Sequence, residues 1–249
     1  MSGTEACCSR PAAKADHKEA GEWIEIEGLK TYHVGSKSAP KAILVLYDIF
    51  GFVPQTLQGA DILAEVGSGK SDIQVFMPGY LETHPPKMQW FMPNASDQDK
   101  EEKTEYFTGI ANPASAIELT PKLVASIYEK YPSIKSWGAL GLCWGSKVVF
   151  ATTGQGTPFN AGAGVHPSFL SAKDAAQVTV PLMFLPSGEE DKNEVNDFVA
   201  ALKVEKHIET FESQLHGWMG SRAQLENEEI KKEYERGYGL VTEWMKKYL

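Results

Sequence analysis

The stretch Leu140-Gly-Leu-Cys-Trp-Gly-Ser-Lys147 constrains this chain more than any other. A short apolar run, 137–142, reads as a buried strand, and a helical run, 146–153, follows at once. Gly-x-Cys-x-Gly lies between them. A chain that turns this tightly from strand to helix strains the backbone at the middle residue, and a glycine on either side lets neighbouring chain come close. The middle side chain is then pushed into a cleft. The next backbone N–H points to where an oxyanion forms, and the positive end of the new helix favours a thiolate. Cys143 therefore reads as a nucleophile. The same residues also suit a buried structural cysteine in a glycine-rich turn, and the octapeptide alone does not choose between the two.

The flanking sequence has the rhythm of an α/β protein. Residues 1–22 are small, polar and charged, and read as a loosely held arm containing the adjacent Cys7 and Cys8. Residues 23–27 alternate apolar and acidic, as a half-exposed strand does, and 30–34 return as its hairpin partner. Residues 41–47 are continuously apolar, like a central parallel strand covered on both faces. Asp48-Ile-Phe-Gly51 follows, placing a carboxylate at a strand's carboxyl end, where open α/β sheets carry their chemistry; a turn-capping role suits Asp48 equally. A helix over 56–66 and a strand over 73–77 come next. Residues 78–107 break the rhythm with four prolines and a charged tract, and read as a cap over a site. Lys87, Trp90 and Phe91 are its candidate pocket residues. Thr120-Pro121 reads as a helix start with proline in first position.

After the Cys143 corner, strands are expected over 161–166, 180–185 and 207–212. Helices are expected over 193–204 and 225–249. His166 closes the first of these strands and is read as a hydrogen-bonding residue across the cleft. The whole is one domain, 23–249, with a mostly parallel central sheet flanked by helices on both faces.

Composition narrows the function. A formal charge of −9 with no lysine/arginine stripe argues against nucleic acid or an anionic membrane as partner. Three cysteines make no disulfide framework, which fits a reducing cytoplasm. No apolar run has the length of a membrane span. In chain order come Cys143, then Asp191 and His216, the last two each following a predicted strand. Nucleophile, acid, histidine is the α/β-hydrolase order. The histidine takes the thiol proton and returns it to the leaving group, while the carboxylate holds the imidazole's tautomer. Glu189 and Glu190 rival Asp191 for the acid, and Asp191 is preferred for its position. Trp144 N–H is one oxyanion donor, and Ile49 N–H is the expected second.

These residues resemble the dienelactone hydrolase family from about residue 23 to 249. The resemblance rests on Asp48-Ile-Phe-Gly51, Gly141-Leu-Cys-Trp-Gly145, Gly188-Glu-Glu-Asp191 and His216-Gly-Trp218. The Cys-Trp-Gly form and paired N-terminal cysteines are similar to its fungal branch. The resemblance implies an α/β-hydrolase fold with no metal or organic cofactor. It also implies opening of a lactone or activated ester through an acyl-cysteine, by Cys143, His216 and Asp191. It gives Asp48 a gating position usually held by glutamate, and Arg222 a substrate-carboxylate role shared with Lys87. The aromatics Trp90, Phe91, Trp144 and Trp218, read from the residues themselves, suit an apolar substrate site and equally a core. A small-molecule lactone or ester is the expected partner, and the sequence leaves monomer and homodimer both open. The alternative is a non-catalytic binder of a small acid or a protein on the same fold. Direct oxidation of Cys143 as a redox sensor ranks below both.

Overall fold

The computed structural model describes residues 10–67 and 71–249. Cys7 and Cys8 lie outside the described residues. The chain opens with the hairpin β1 (Glu22–Ile26) and β2 (Leu29–Gly35), turned at Glu27-Gly28, both with positive φ. Then come β3 (Lys41–Leu46), α1 (Pro54–Leu63) and β4 (Ile73–Pro78). The 78–107 excursion contains a short 3-10 turn, Met88–Phe91, and α2 (Asp97–Thr108). α3 (Ala114–Lys130) leads to β5 (Ser136–Leu142), α4 (Trp144–Thr152) and β6 (Ala161–Val165). α5 (Ala172–Ala175), β7 (Leu182–Leu185), α6 (Lys192–Ala201), β8 (Lys206–Ile208) and α7 (Glu228–Tyr248) complete it.

Among the described residues one eight-stranded sheet runs in the order β1-β2-β4-β3-β5-β6-β7-β8. β1, β2 and β4 pair antiparallel; every pair from β4 to β8 is parallel. The central parallel strands are short and mostly apolar or small because both faces are covered. α1 packs with α7, and α4 packs with α3 and against β3, β5 and β6. From β3 the chain steps outward to β4, then returns to place β5 on the other side of β3. The carboxyl ends of β3 and β5 thus meet at the switch point, where an open α/β sheet leaves a crevice.

Three expectations need revision. α3 begins at Ala114, so Pro121 lies inside the helix and not at its start. Pro121 cannot donate to the carbonyl of Ile117, a defect that costs roughly 3 kcal/mol in an isolated helix. Burial of Ala116, Thr120, Leu123, Val124 and Ile127 on one face carries the helix through it. Second, the charged tract of the excursion is helical. Ser96 and Asp99 form a reciprocal capping box at its start, and Tyr106 alone is buried. Third, the arm over 10–21 has neither helix nor strand but is fastened to the body. Asp61 accepts from Ala20 N (3.0 Å) and pairs with His17 Nε2 (2.8 Å). Ala13 N donates to Ser221 O (2.8 Å), and Gln55 Nε2 donates to Ala13 O (3.1 Å). Composition hid this because every anchor is distant in sequence.

Candidate active site

Cys143 occupies the corner between β5 and α4 with φ 52° and ψ −110°, a conformation that costs a residue with a side chain about 1–3 kcal/mol. Its surroundings hold it there. Its N–H donates to Val165 O (3.1 Å), and its carbonyl accepts from Ser146 N (3.1 Å) and Ser168 N (3.2 Å). The two glycines are required by close approach. A Cβ on Gly145 would lie 2.0 Å from the carbonyl oxygen of Leu46 in β3, and one on Gly141 would lie 2.4 Å from the backbone of Gly145. Cys143 is buried, 2% exposed, with Sγ 3.2 Å from Ser168 Oγ.

His216 sits in the loop after β8, buried, its Nδ1 2.7 Å from Glu190 Oε1. This corrects the expected acid. Asp191 instead caps α6, accepting from Asn193 N (2.9 Å) and Glu194 N (3.0 Å). Reach and capping chemistry decide the exchange. A short carboxylate is a strong N-cap, whereas the longer glutamate side chain spans the gap to the imidazole. Glu190 folds back onto Ser187, accepting from its N–H and from its hydroxyl (2.9 Å). Its side chain is 4% exposed and that of His216 2%, so the pair is shielded from water. The sequence held the signal: Asp191 followed three positions later by Glu194 is a helix-start pattern. Glu189 turns outward, accepting from His216 N (3.0 Å) and pairing with Arg10 (2.7 Å). Burial raises its carboxyl, but the His216 N–H and the Arg10 charge outweigh that and hold it below the usual carboxylate range.

A cavity of about 10 Å3, room for one water, is lined by Asp48, Ile49, Phe50, Cys143, His216, Gly217, Ser221 and Arg222. Cys143, His216, Ile49, Asp48 and Arg222 thus line one cavity. The N–H of Trp144 opens α4, among the helix donors that have no intrahelical acceptor. Asp48 is a staple: Oδ1 accepts from Phe50 N (2.9 Å) and Oδ2 from Ser221 N (2.8 Å). Burial pushes its carboxyl up, against those bonds and the Arg222 charge, which pull it down.

Arg222 is 4% exposed and is engaged by the chain itself. Nε donates to Arg10 O (3.1 Å), Nη2 to the same oxygen, and Nη1 to His216 O (3.3 Å). Lys87 and Trp90 do not reach the cavity; both bond Glu102 on α2, at 2.7 and 3.1 Å. Phe91 does reach inward, its ring 5.1 Å from that of Phe50. Trp218 is core, stacked on Phe211 at 4.1 Å. His166 lies edge-on to His216, ring centres 5.2 Å apart. Ser168 and Arg10 carried no signal in the sequence, because only folding brings them to Cys143 and Arg222. Among the described residues no group of three His, Cys, Asp or Glu side chains stands ready to hold a metal ion.

The dienelactone hydrolase family model matches residues 29–249. An uncharacterized AIM2 family protein of Schizosaccharomyces pombe is 33% identical, over 95% of this chain and 96% of its own length. The human carboxymethylenebutenolidase homolog is 25% identical, over 92% of this chain and 91% of its own. The solved dienelactone hydrolase of Anabaena variabilis superposes with a TM-score of 0.63 at 12% identity, covering 93% of this chain and 98% of that one. That likeness is one of fold.

Proposed function

This chain belongs to the dienelactone hydrolase family, and from that premise we propose that it is a cysteine-dependent hydrolase of lactones or activated esters. The family and fold support a hydrolase with a small-molecule substrate. The observation that carries the finer reading is the strained Cys143 corner facing one cavity with His216, whose far nitrogen is held by buried Glu190.

In this reading His216 Nε2 takes the Cys143 thiol proton and the sulfur attacks the carbonyl carbon. The tetrahedral oxyanion accepts from the N–H groups of Trp144 and Ile49, at the positive end of α4. Glu190 steadies the imidazolium across the Nδ1 bond. Collapse expels the alcohol or enol, which leaves with the proton from His216, and an acyl-cysteine remains. Water, deprotonated by His216, attacks that thioester; the acid departs and the thiol is restored. Ester and enol-ester leaving groups suit this site better than amines, because an alkoxide or enolate leaves more readily. No residue need hold a cofactor for these steps. Three cysteines without a disulfide framework support work in a reducing cytoplasm.

Turnover of a phenyl ester, an aliphatic lactone and a dienelactone by wild type and Cys143→Ala tests the reading. Loss of turnover in the alanine variant, with the thermal melt preserved, is expected. Full activity in that variant would sink the proposal.

A further inference from the structure

Cys143 is held at three atoms by one short segment, 165–168, at the carboxyl end of β6. β6 lies parallel beside β5 with Val165 opposite Leu142, so both chains leave the sheet together. Cys143 N donates to Val165 O (3.1 Å), Ser168 N donates to Cys143 O (3.2 Å), and Ser168 Oγ stands 3.2 Å from Cys143 Sγ. The segment is itself anchored to β7, by His166 N on Leu185 O (2.9 Å). Its turn is strained on both sides of Ser168: His166 has φ 35° and Phe169 φ 56°. Pro167 restricts His166 further, since a proline ring crowds the residue before it. Left-handed residues with side chains persist where the surroundings over-determine them, and they gather at working sites. Ser168 is wholly buried and stands outside the cavity lining, so it meets the sulfur from within the protein. Ser146, also buried at this corner, donates instead to the carbonyls of Gly141 (2.8 Å) and Val165 (3.3 Å).

We propose that Ser168 is the positioning residue of the nucleophile: its hydroxyl donates to the Cys143 sulfur once the thiol proton has gone, holding the charged atom in place and favouring its formation. While the thiol is neutral, either atom can donate. The S–H proton then passes to His216 Nε2 and the electron pair stays on sulfur. From that point the sulfur can only accept, and the Ser168 O–H, which keeps its own proton, donates. A hydrogen bond to an ion is roughly twice as strong as one between neutral groups, so the contact stabilises thiolate more than thiol. It needs no contact with substrate. The charged and titratable groups around the sulfur come from several elements: Asp48 after β3, His166 after β6, and His216 and Arg222 after β8, with Glu190 behind His216. On α4 itself Lys147 pairs away, with Asp174 of α5. A substitution at Ser168 leaves all of these groups in the chain, which isolates the effect of the hydroxyl.

The inference rests on Cys143 being the reactive group of this site, so its test reads ionisation and not turnover. In the full-length chain carrying Cys7→Ser and Cys8→Ser, Cys143 is the one remaining thiol. Its thiolate is titrated by ultraviolet absorbance against pH, and the signal of Cys143→Ala in the same background is subtracted to remove tyrosine. Ser168→Ala is expected to raise the midpoint by about one pH unit. That is the roughly tenfold loss of thiolate that follows when the excess of an ionic hydrogen bond over a neutral one is removed. Ser146→Ala removes a buried hydroxyl whose bonds are to carbonyls, and should leave the midpoint within about 0.3 unit. Ser168→Gly also lacks the hydroxyl and serves if the alanine variant does not fold. An unmoved midpoint in a folded Ser168 variant, or an equal shift in Ser146→Ala, would overturn the proposal. A chain that hydrolyses no ester yet shows the Ser168 shift loses the hydrolase reading and keeps Ser168 as the residue that holds the sulfur.

Discussion

Exchanging the charge of Glu190 for a neutral amide should cost far more rate than the same exchange at Asp191, one residue along. The Glu190 carboxylate lies 2.7 Å from His216 Nδ1, with both side chains almost fully buried. The centres of charge of carboxylate and imidazolium are then about 4 Å apart, which at an effective dielectric of about 20 is worth roughly 4 kcal/mol of stabilisation to the charged ring. That equals about three decades in rate. Loss of the correct tautomer adds to it, so Glu190→Gln should lower kcat/KM by roughly 10³–10⁴-fold. Asp191→Asn replaces one good helix cap by another, and should leave kcat/KM within about twofold and stability within about 0.5 kcal/mol. Asp191→Ala should cost about 1 kcal/mol of stability and little activity. The assay is initial-rate hydrolysis of an activated phenyl ester, paired with a denaturant melt of each variant. A Glu190→Gln enzyme within tenfold of wild type, or an Asp191→Asn enzyme as damaged as Glu190→Gln, would refute the assignment.

Gly145→Ala forces a methyl to 2.0 Å from the Leu46 carbonyl oxygen, and should give insoluble protein or a loss beyond about 4 kcal/mol, read by expression yield and melting. Pro121→Ala restores a donor to the middle of α3 and should stabilise by about 1–3 kcal/mol, a melting-point rise of several degrees by calorimetry. Glu189 has its carboxyl lowered in the folded chain, so its contribution is present above the unfolded value near about pH 4.3 and is lost as pH falls through the lower folded one. The midpoint difference between wild type and Glu189→Gln in urea should therefore be constant from about pH 5 to 7 and shrink as pH falls below about 4.3. A difference that grows as pH falls below about 4.3 would contradict this account.

The elements that could be read directly are those whose physics is local. The Cys143 corner announces itself because only glycine tolerates a carbonyl at 2.0 Å, and because an apolar run of strand length abuts a helical one. β3, β4 and β6 are mostly apolar or small-residue runs, and β1–β2 is a hairpin with a glycine in its turn. His216 and the strand-end loops follow from the same reading. The order of Cys143, the acidic loop and His216 in the chain needed no structure.

What only the tertiary structure decided are choices among neighbours and meetings across long spans. Glu189, Glu190 and Asp191 are three consecutive carboxylates. Which one faces His216 depends on where β7 ends and where α6 starts, a matter of Ångströms that composition does not record. Pro121 reads as a helix start until the burial of its own helix face outweighs the missing bond. Arg222 reads as a ligand for a substrate carboxylate until the arm, more than two hundred residues earlier, brings it a carbonyl. The sequence determined the fold and the strained Cys143 corner through periodicity and backbone sterics, which act within a few residues. Charge partners and the wall of the cavity were decided by side chains that meet only when the sheet closes, because electrostatics and packing act through space and leave no periodic trace along the chain.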